Sequence, residues 1–246
     1  MKKLIVAFLL AAAPMLGLAS GAGPHLEDAN IDLGDQASLQ RGAKYFVNYC
    51  LSCHSAKYQR YNRMARDLGL SEEEVISNLM FTTDKIGDTM KVAMTEDQGN
   101  AWFGNAPPDL SVLIRARGVD YIYTYLKSFY LDEKRPFGVN NTVFPDVAMP
   151  HVLWKLQGTQ KAVFKTETDA QGNEHVTFEG FETVTPGTLS AEEYDEVARD
   201  LTAFLSYVGE PIQMERKRLG VWVLLFIAVF FVVAYLLKKE YWKDIH

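Results

Sequence analysis

Cys50-Leu51-Ser52-Cys53-His54 is the stretch on which the reading of this chain turns, because it contains both cysteines of a 246-residue sequence. Two thiols three positions apart on one helical turn can reach the two vinyl groups along one edge of a porphyrin and form thioethers. The residue that follows can then offer its imidazole to the iron. The pattern therefore reads as c-type haem attachment, with Cys50 and Cys53 as tethers and His54 as an iron ligand. A closed zinc site needs four donors, and the sequence has no second cysteine pair to supply them. A thioredoxin-like redox pair is the remaining alternative. The following histidine and the lack of a βαβ pattern oppose it.

Outward from the motif, both ends of the chain are apolar. Lys2 and Lys3 precede the run Leu4 to Ala13, then Pro14 and the small residues Ala19, Ser20, Gly21 and Ala22. This order is that of a secretory signal peptide over residues 1–22, with cleavage after Ala19 or Ala22. A retained helical anchor is the alternative. Leu219 to Leu237 is an uncharged 19-residue run. As a helix it would extend about 28 Å, close to the roughly 30 Å hydrocarbon core of a bilayer. Arg216, Lys217 and Arg218 on one side and Lys238, Lys239 and Lys243 on the other leave orientation undecided by charge. The export signal decides it instead, placing residues 23–210 outside the cytoplasm and leaving 211–246 as anchor and short cytoplasmic tail.

Between Pro24 and Glu210 there are 17 Lys and Arg against 28 Asp and Glu, a balance of −11 beside −6 for the whole chain. So acidic a head repels nucleic acid and favours a basic protein partner, or simply a soluble surface. Ser38 is expected to cap a helix through Leu39, Ala43, Phe46, Val47 and Cys50. Ser71 with Glu74, and Ser190 with Glu193, form capping boxes before two further helices; Gly209 and Pro211 stop the second. Asn105 to Arg117 starts as an extended proline segment and is expected to turn helical near Asp109, ending at Gly118. Asp120 is expected to cap Tyr121 to Phe129. Ala162 to Thr168 and Glu174 to Phe178 flank a glycine turn as a hairpin.

The second axial ligand is open on residue chemistry alone. Met64, Met80, Met90, Met94, Met149, His151 and His175 all carry suitable donors, and an open position is also possible. Met149 is set apart by its place between Pro145 and Pro150, which forbid a continuous helix and can hold a side chain rigidly. His151 is its competitor. Arg115 and Arg117, two apart, point to different sides of their helix, so both cannot face one target equally; one could neutralise a buried propionate, whereas an exposed salt bridge is the simpler role for either alone.

Assembled, these pieces resemble the cytochrome c1 family, the haem subunit of the ubiquinol-cytochrome c reductase (cytochrome bc1) complex. Leu39-Gln-Arg-Gly42 leads to the Cys50–His54 motif. Ala106-Pro-Pro-Asp-Leu-Ser111, Ile114-Arg-Ala-Arg117, Asp120-Tyr121, Met149-Pro150 and one C-terminal anchor follow in the family's order. The resemblance implies Met149 as axial partner of His54, Pro107 and Pro108 against the haem, Arg117 near a propionate and Tyr121 close by. His151 after Pro150 departs from relatives that often have another proline there. The fold expected is mostly α: a cytochrome c-like haem domain with a small β-hairpin insertion and one C-terminal transmembrane helix.

The function expected is electron relay, with no enzyme activity from this chain alone. One covalent haem c would take electrons from a Rieske iron-sulfur protein and pass them to a c-type cytochrome acceptor, in a dimeric complex with cytochrome b. The head would lie in the periplasm, on a bacterial inner membrane. An anchored cytochrome serving an oxidase is one alternative; a non-haem thiol-disulfide exchange module is another.

Overall fold

The computed structural model describes residues 24–168 and 174–243, without the side chains at 167, 174 and 175. The expected signal peptide and its cleavage sites, the turn at 169–173 and the imidazole of His175 therefore lie outside the described residues. The chain runs α1 (Gln36–Tyr45), a single π-helical turn (Phe46–Cys50), β1 (Ala56–Arg60), α2 (Tyr61–Asp67), α3 (Glu72–Asn78), β2 (Thr89–Met90) and α4 (Glu96–Phe103). It continues through α5 (Leu113–Arg117), α6 (Val119–Lys127), β3 (Phe129–Leu131), β4 (Val139–Asn141) and α7 (Trp154–Gln157). A long hairpin, β5 (Gly158–Thr168) and β6 (Glu174–Pro186), precedes α8 (Ala191–Gly209) and α9 (Gln213–Tyr241).

The core forms where α1 crosses α8. Gly42 makes the crossing close, because a Cβ there would collide with the backbone carbonyl of Asp200 and the Cβ of Phe204. Phe46 packs against Phe204 with tilted rings, their centroids 5.5 Å apart, and both are fully buried. Asp200, buried at this crossing, accepts from Ser38 Oγ at 2.6 Å and from Arg41 Nε and Nη2 at 2.6 and 2.9 Å. A buried carboxylate is tolerable only with such partners. Ser38 is thus a cross-helix donor rather than a cap. Asp35 caps α1 instead, accepting from Ser38 N at 3.1 Å.

Other local expectations shift for identifiable reasons. The helix leading to Cys50 does not stay α-helical. From Phe46 it widens, and Leu51 N donates to Phe46 O at 2.9 Å. The segment expected to turn helical near Asp109 does so only at Leu113, because the Asp109 carboxylate accepts from Ser111 N and Lys57 N, each at 3.0 Å. Asp120 is not a cap, since Gly118 occupies that position before α6 and Asp120 Oδ1 accepts from Ala29 N at 3.0 Å. Phe129 leaves the helix and opens β3. The capping boxes at Ser71 and Ser190 form, as does one at Thr95 with Gln98 that the reading passed over. The hairpin is longer than expected, running from the Gly158–Pro186 pair to the Thr168–Glu174 pair. Two short antiparallel pairs, β1 with β2 and β3 with β4, accompany it.

α9 is exposed along its length and is long and apolar enough to cross a membrane. Its 29 residues extend about 44 Å at 1.5 Å per residue, so the helix outruns the Leu219–Leu237 apolar stretch at both ends.

Candidate functional site

The π-helical turn delivers Cys50 to the end of α1, and one more turn follows. Cys53 N and His54 N both donate to Cys50 O, at 3.0 and 2.8 Å, so the two sulfurs and the imidazole issue from one compact loop. Ala106-Pro-Pro-Asp-Leu-Ser111 is sewn to this loop. Leu110 N donates to Ser55 O at 2.8 Å, Lys57 N to Asp109 Oδ2 and Tyr58 N to Ser111 Oγ. The result is an approach of His54 Nδ1 to the carbonyl oxygen of Pro108 at 2.8 Å. A carbonyl only accepts, so Nδ1 carries the proton and Nε2 keeps its lone pair. Burial holds the imidazole below its ordinary pKa, against opposing pulls from Pro108 and Asp109, which keeps it neutral at pH 7. A neutral imidazole with one nitrogen tied down and the other free is what a metal ligand requires.

Cys50 does not suit thiol exchange. Burial, helped by the neighbouring Cys53, pushes the Cys50 thiol up to about 12, whereas exchange-active thiols are shifted downwards.

A second cluster surrounds Met149. Tyr125 of α6 donates its hydroxyl to Met149 Sδ at 3.3 Å. Its ring is stacked on Tyr121 (6.4 Å between centroids, 10° between planes) and meets Phe129 edge-on at 5.2 Å. His151, buried, lies flat against Phe129 at 4.8 Å and 4°. Arg117 is exposed, with its guanidinium 5.4 Å from the Tyr121 ring and 6.0 Å from that of Phe144. Arg115 leaves its helix elsewhere, beside Gly209, in keeping with the divergence of the two arginines.

The loop that carries Met149 is moulded by two buried asparagines of β4. Asn140 Oδ1 accepts from Asp146 N at 2.8 Å, and Asn141 Oδ1 from Val143 N and Phe144 N at 2.9 and 3.2 Å. Asn141 Nδ2 donates back to the Tyr125 carbonyl at 2.9 Å, joining loop to helix. Asp146, at φ 63, is held there by Arg135 through its side chain and its carbonyl.

The structure thus groups Cys50, Cys53, His54 and Pro108 on one side, and Met149, Tyr121 and Arg117 on the other. Among the described residues, no hydrogen bond or ring contact joins the two directly. Tyr194 of α8 donates its hydroxyl to Leu126 O at 2.8 Å, tying α8 to α6 beside Tyr125. Pro107 belongs to neither cluster in its visible contacts; it packs against Gly99 of α4. Of the other candidates for a second axial ligand, Met64, Met80 and Met90 are buried in the main core. Tyr125, Asn140, Asn141 and Arg135 escaped the reading. Tyr125 carried one signal, its place one helical turn after Tyr121.

A family model described as the Cytochrome C1 family matches residues 28–245. The chain is 57% identical over 246 residues to cytochrome c1 of Allochromatium vinosum, covering 100% of both chains. It is 47% identical over 245 residues, 100% of this chain and 98% of the relative, to a protein of Nitrosomonas europaea named ammonia monooxygenase gamma subunit. Against the mitochondrial cytochrome c1 haem protein of Saccharomyces cerevisiae it is 28% identical over 86% of this chain and 68% of that one.

Proposed function

The chain belongs to the cytochrome c1 family and is a haem-containing electron-transfer protein, and we propose that it is the relay subunit of a cytochrome bc1 complex. In this reading one haem c is attached through Cys50 and Cys53, with His54 and Met149 as axial ligands. When bound, the haem supplies a one-electron couple. The chain's own residues do the rest. Pro108 fixes the tautomer and aim of His54, Tyr125 and the Asn140–Asn141 pair position Met149, and Arg117, beside Tyr121, offers a cation to a propionate. The observation that carries the reading is the His54–Pro108 contact, which presents a free, neutral Nε2 next to the paired sulfurs.

The proposed electron donor is a Rieske iron-sulfur protein and the acceptor a c-type cytochrome, with cytochrome b as membrane partner in a dimeric assembly. The chain by itself then catalyses nothing; quinol oxidation lies with its partners. The proposed orientation has residues 23–210 in the periplasm, 1–22 removed as a signal peptide and α9 in the bacterial inner membrane. An acidic head attracts a basic acceptor over a distance, so electron delivery slows as salt is added.

The test is purification from detergent-solubilised membranes, followed by a pulse of quinol. A b-type haem and an iron-sulfur cluster should co-purify, and the covalent haem should be reduced as the cluster is reoxidised. Recovery of the haem-loaded chain with neither centre would overturn the proposal in favour of a donor to an oxidase.

The name of the Nitrosomonas relative raises a second reading, a subunit of an oxygenase. If His54 and Met149 both held the iron, as proposed, it would have no open position for oxygen. Carbon monoxide distinguishes the two readings: the relay leaves the reduced spectrum unchanged under that gas, whereas rapid formation of a carbonyl spectrum would favour the oxygenase.

A further inference from the structure

We infer that Tyr125 is a positioning residue that raises the midpoint potential of the haem, by hydrogen-bonding the sulfur of Met149. This inference rests on Met149 being an axial ligand. A thioether sulfur has two lone pairs; one can bind iron while the other accepts a hydrogen bond. The Tyr125 hydroxyl lies 3.3 Å from that sulfur.

The ring that carries the hydroxyl is fixed in place. Its ring is held flat against Tyr121 and edge-on to Phe129, Phe129 is backed by the flat face of His151, and the Tyr125 carbonyl is tied by Asn141 Nδ2. With the ring so placed, the hydroxyl stays within reach of the sulfur, and the positive end of this partly buried O–H dipole points at the ligand. Oxidation of the iron adds a positive charge, which that dipole opposes, and drawing density from the sulfur weakens it as a donor to ferric iron. Both effects favour the reduced state, and both are strengthened by low local polarity.

Tyr121 carries no such contact; its ring serves as the platform between Arg117 and Tyr125. The role therefore falls to the residue whose oxygen reaches the ligand.

The experiment is a potentiometric titration of the membrane-anchored, haem-loaded protein and three variants: Tyr125→Phe, Met149→Leu and Tyr207→Phe. Tyr207→Phe is the control, removing a different buried hydroxyl, one that donates to Asp67 at 2.9 Å. The red charge-transfer band of a sulfur-ligated ferric haem is recorded for each. Tyr125→Phe should lower the reduced-to-oxidised ratio at a fixed ambient potential by three- to tenfold, where tenfold is about 59 mV for one electron. Tyr207→Phe should leave the ratio unchanged. Loss of the red band in Tyr125→Phe together with a larger fall would also support the inference, since the hydroxyl then keeps the sulfur on the iron.

A Tyr125→Phe protein with its red band and an unchanged potential would overturn the inference while leaving Met149 as ligand. An equal fall in Tyr207→Phe would overturn it as well. If the parent protein lacks the red band and Met149→Leu leaves the potential unaltered, the ligation itself fails, and this inference fails with it.

Discussion

The two sides of the candidate haem site are built in opposite ways. Cys50, Cys53 and His54 come from five consecutive residues on the end of a helix, and their mutual geometry follows from two short backbone hydrogen bonds to Cys50 O. Met149 sits on a loop whose shape depends on Asn140, Asn141 and Arg135, and its sulfur is met by a tyrosine from α6. One side is written in a five-residue motif and steadied by one distant contact, Pro108; the other is tertiary throughout, its tyrosine and methionine brought together from 24 positions apart beside a stack of rings. A site of this kind should lose its tertiary side first when the fold is loosened.

The strongest way to sharpen that contrast is Met149→Leu. The haem should stay covalently attached, while the reduced-to-oxidised ratio at fixed potential falls more than tenfold and the reduced iron binds carbon monoxide. Attachment and spectrum measured together would show the two sides uncoupled; an unchanged spectrum would remove Met149 from the ligand set.

Gly42→Val attacks the contrast from the local side. The added side chain meets Asp200 and Phe204 at the α1–α8 crossing, and overpacking at a backbone contact should cost about 3 kcal/mol in chemical denaturation. Because α1 presents the motif and α8 supports α6 through Tyr194, both sides of the site should suffer here.

Asp195→Asn probes the tertiary side alone. Burial opposes the charge of this carboxylate, but hydrogen bonds from Lys127 and Tyr123, and the positive charges of Lys127 and Arg199, outweigh it and hold its pKa below the ordinary value. The clamp joins α6 to α8, and through Lys127 to Glu27. The folded carboxylate gives up its charge at lower pH than the unfolded one, so its stabilisation is complete at neutral pH and fades as pH falls below about 4. Asp195→Asn should cost about 1 kcal/mol at pH 7, and the deficit should close in acid. Urea titrations at pH 7 and pH 3 would measure both ends.

The smallest effect is expected far from either side. Val176, on the distal part of the hairpin, is 63% exposed. Val176→Thr should change stability by less than about 0.5 kcal/mol and leave the potential where it was.

How much of this could be read beforehand follows the same division. Cys50–His54, the capping boxes at Ser71 and Ser190 and the apolar run inside α9 are local codes, and the structure carries each of them. Ser38 and Asp120 have residue types that suit caps, yet each is drawn to a partner far along the chain, Asp200 and Ala29. Position in sequence cannot reveal such competition. Asn140 and Asn141 resemble ordinary turn residues until the fold buries them and satisfies their amides. Tyr125 is one aromatic among twelve tyrosines, and only the packing of α6 on the Met149 loop gives its hydroxyl a target.

The central claim, a haem held by two sulfurs on the Cys50–His54 loop, is tested most directly by the mass of the membrane-purified chain and of the peptide spanning residue 50. One added haem, localised to a peptide containing Cys50 and Cys53 and surviving denaturation, is the predicted result. A colourless chain with both thiols open to alkylation would contradict it.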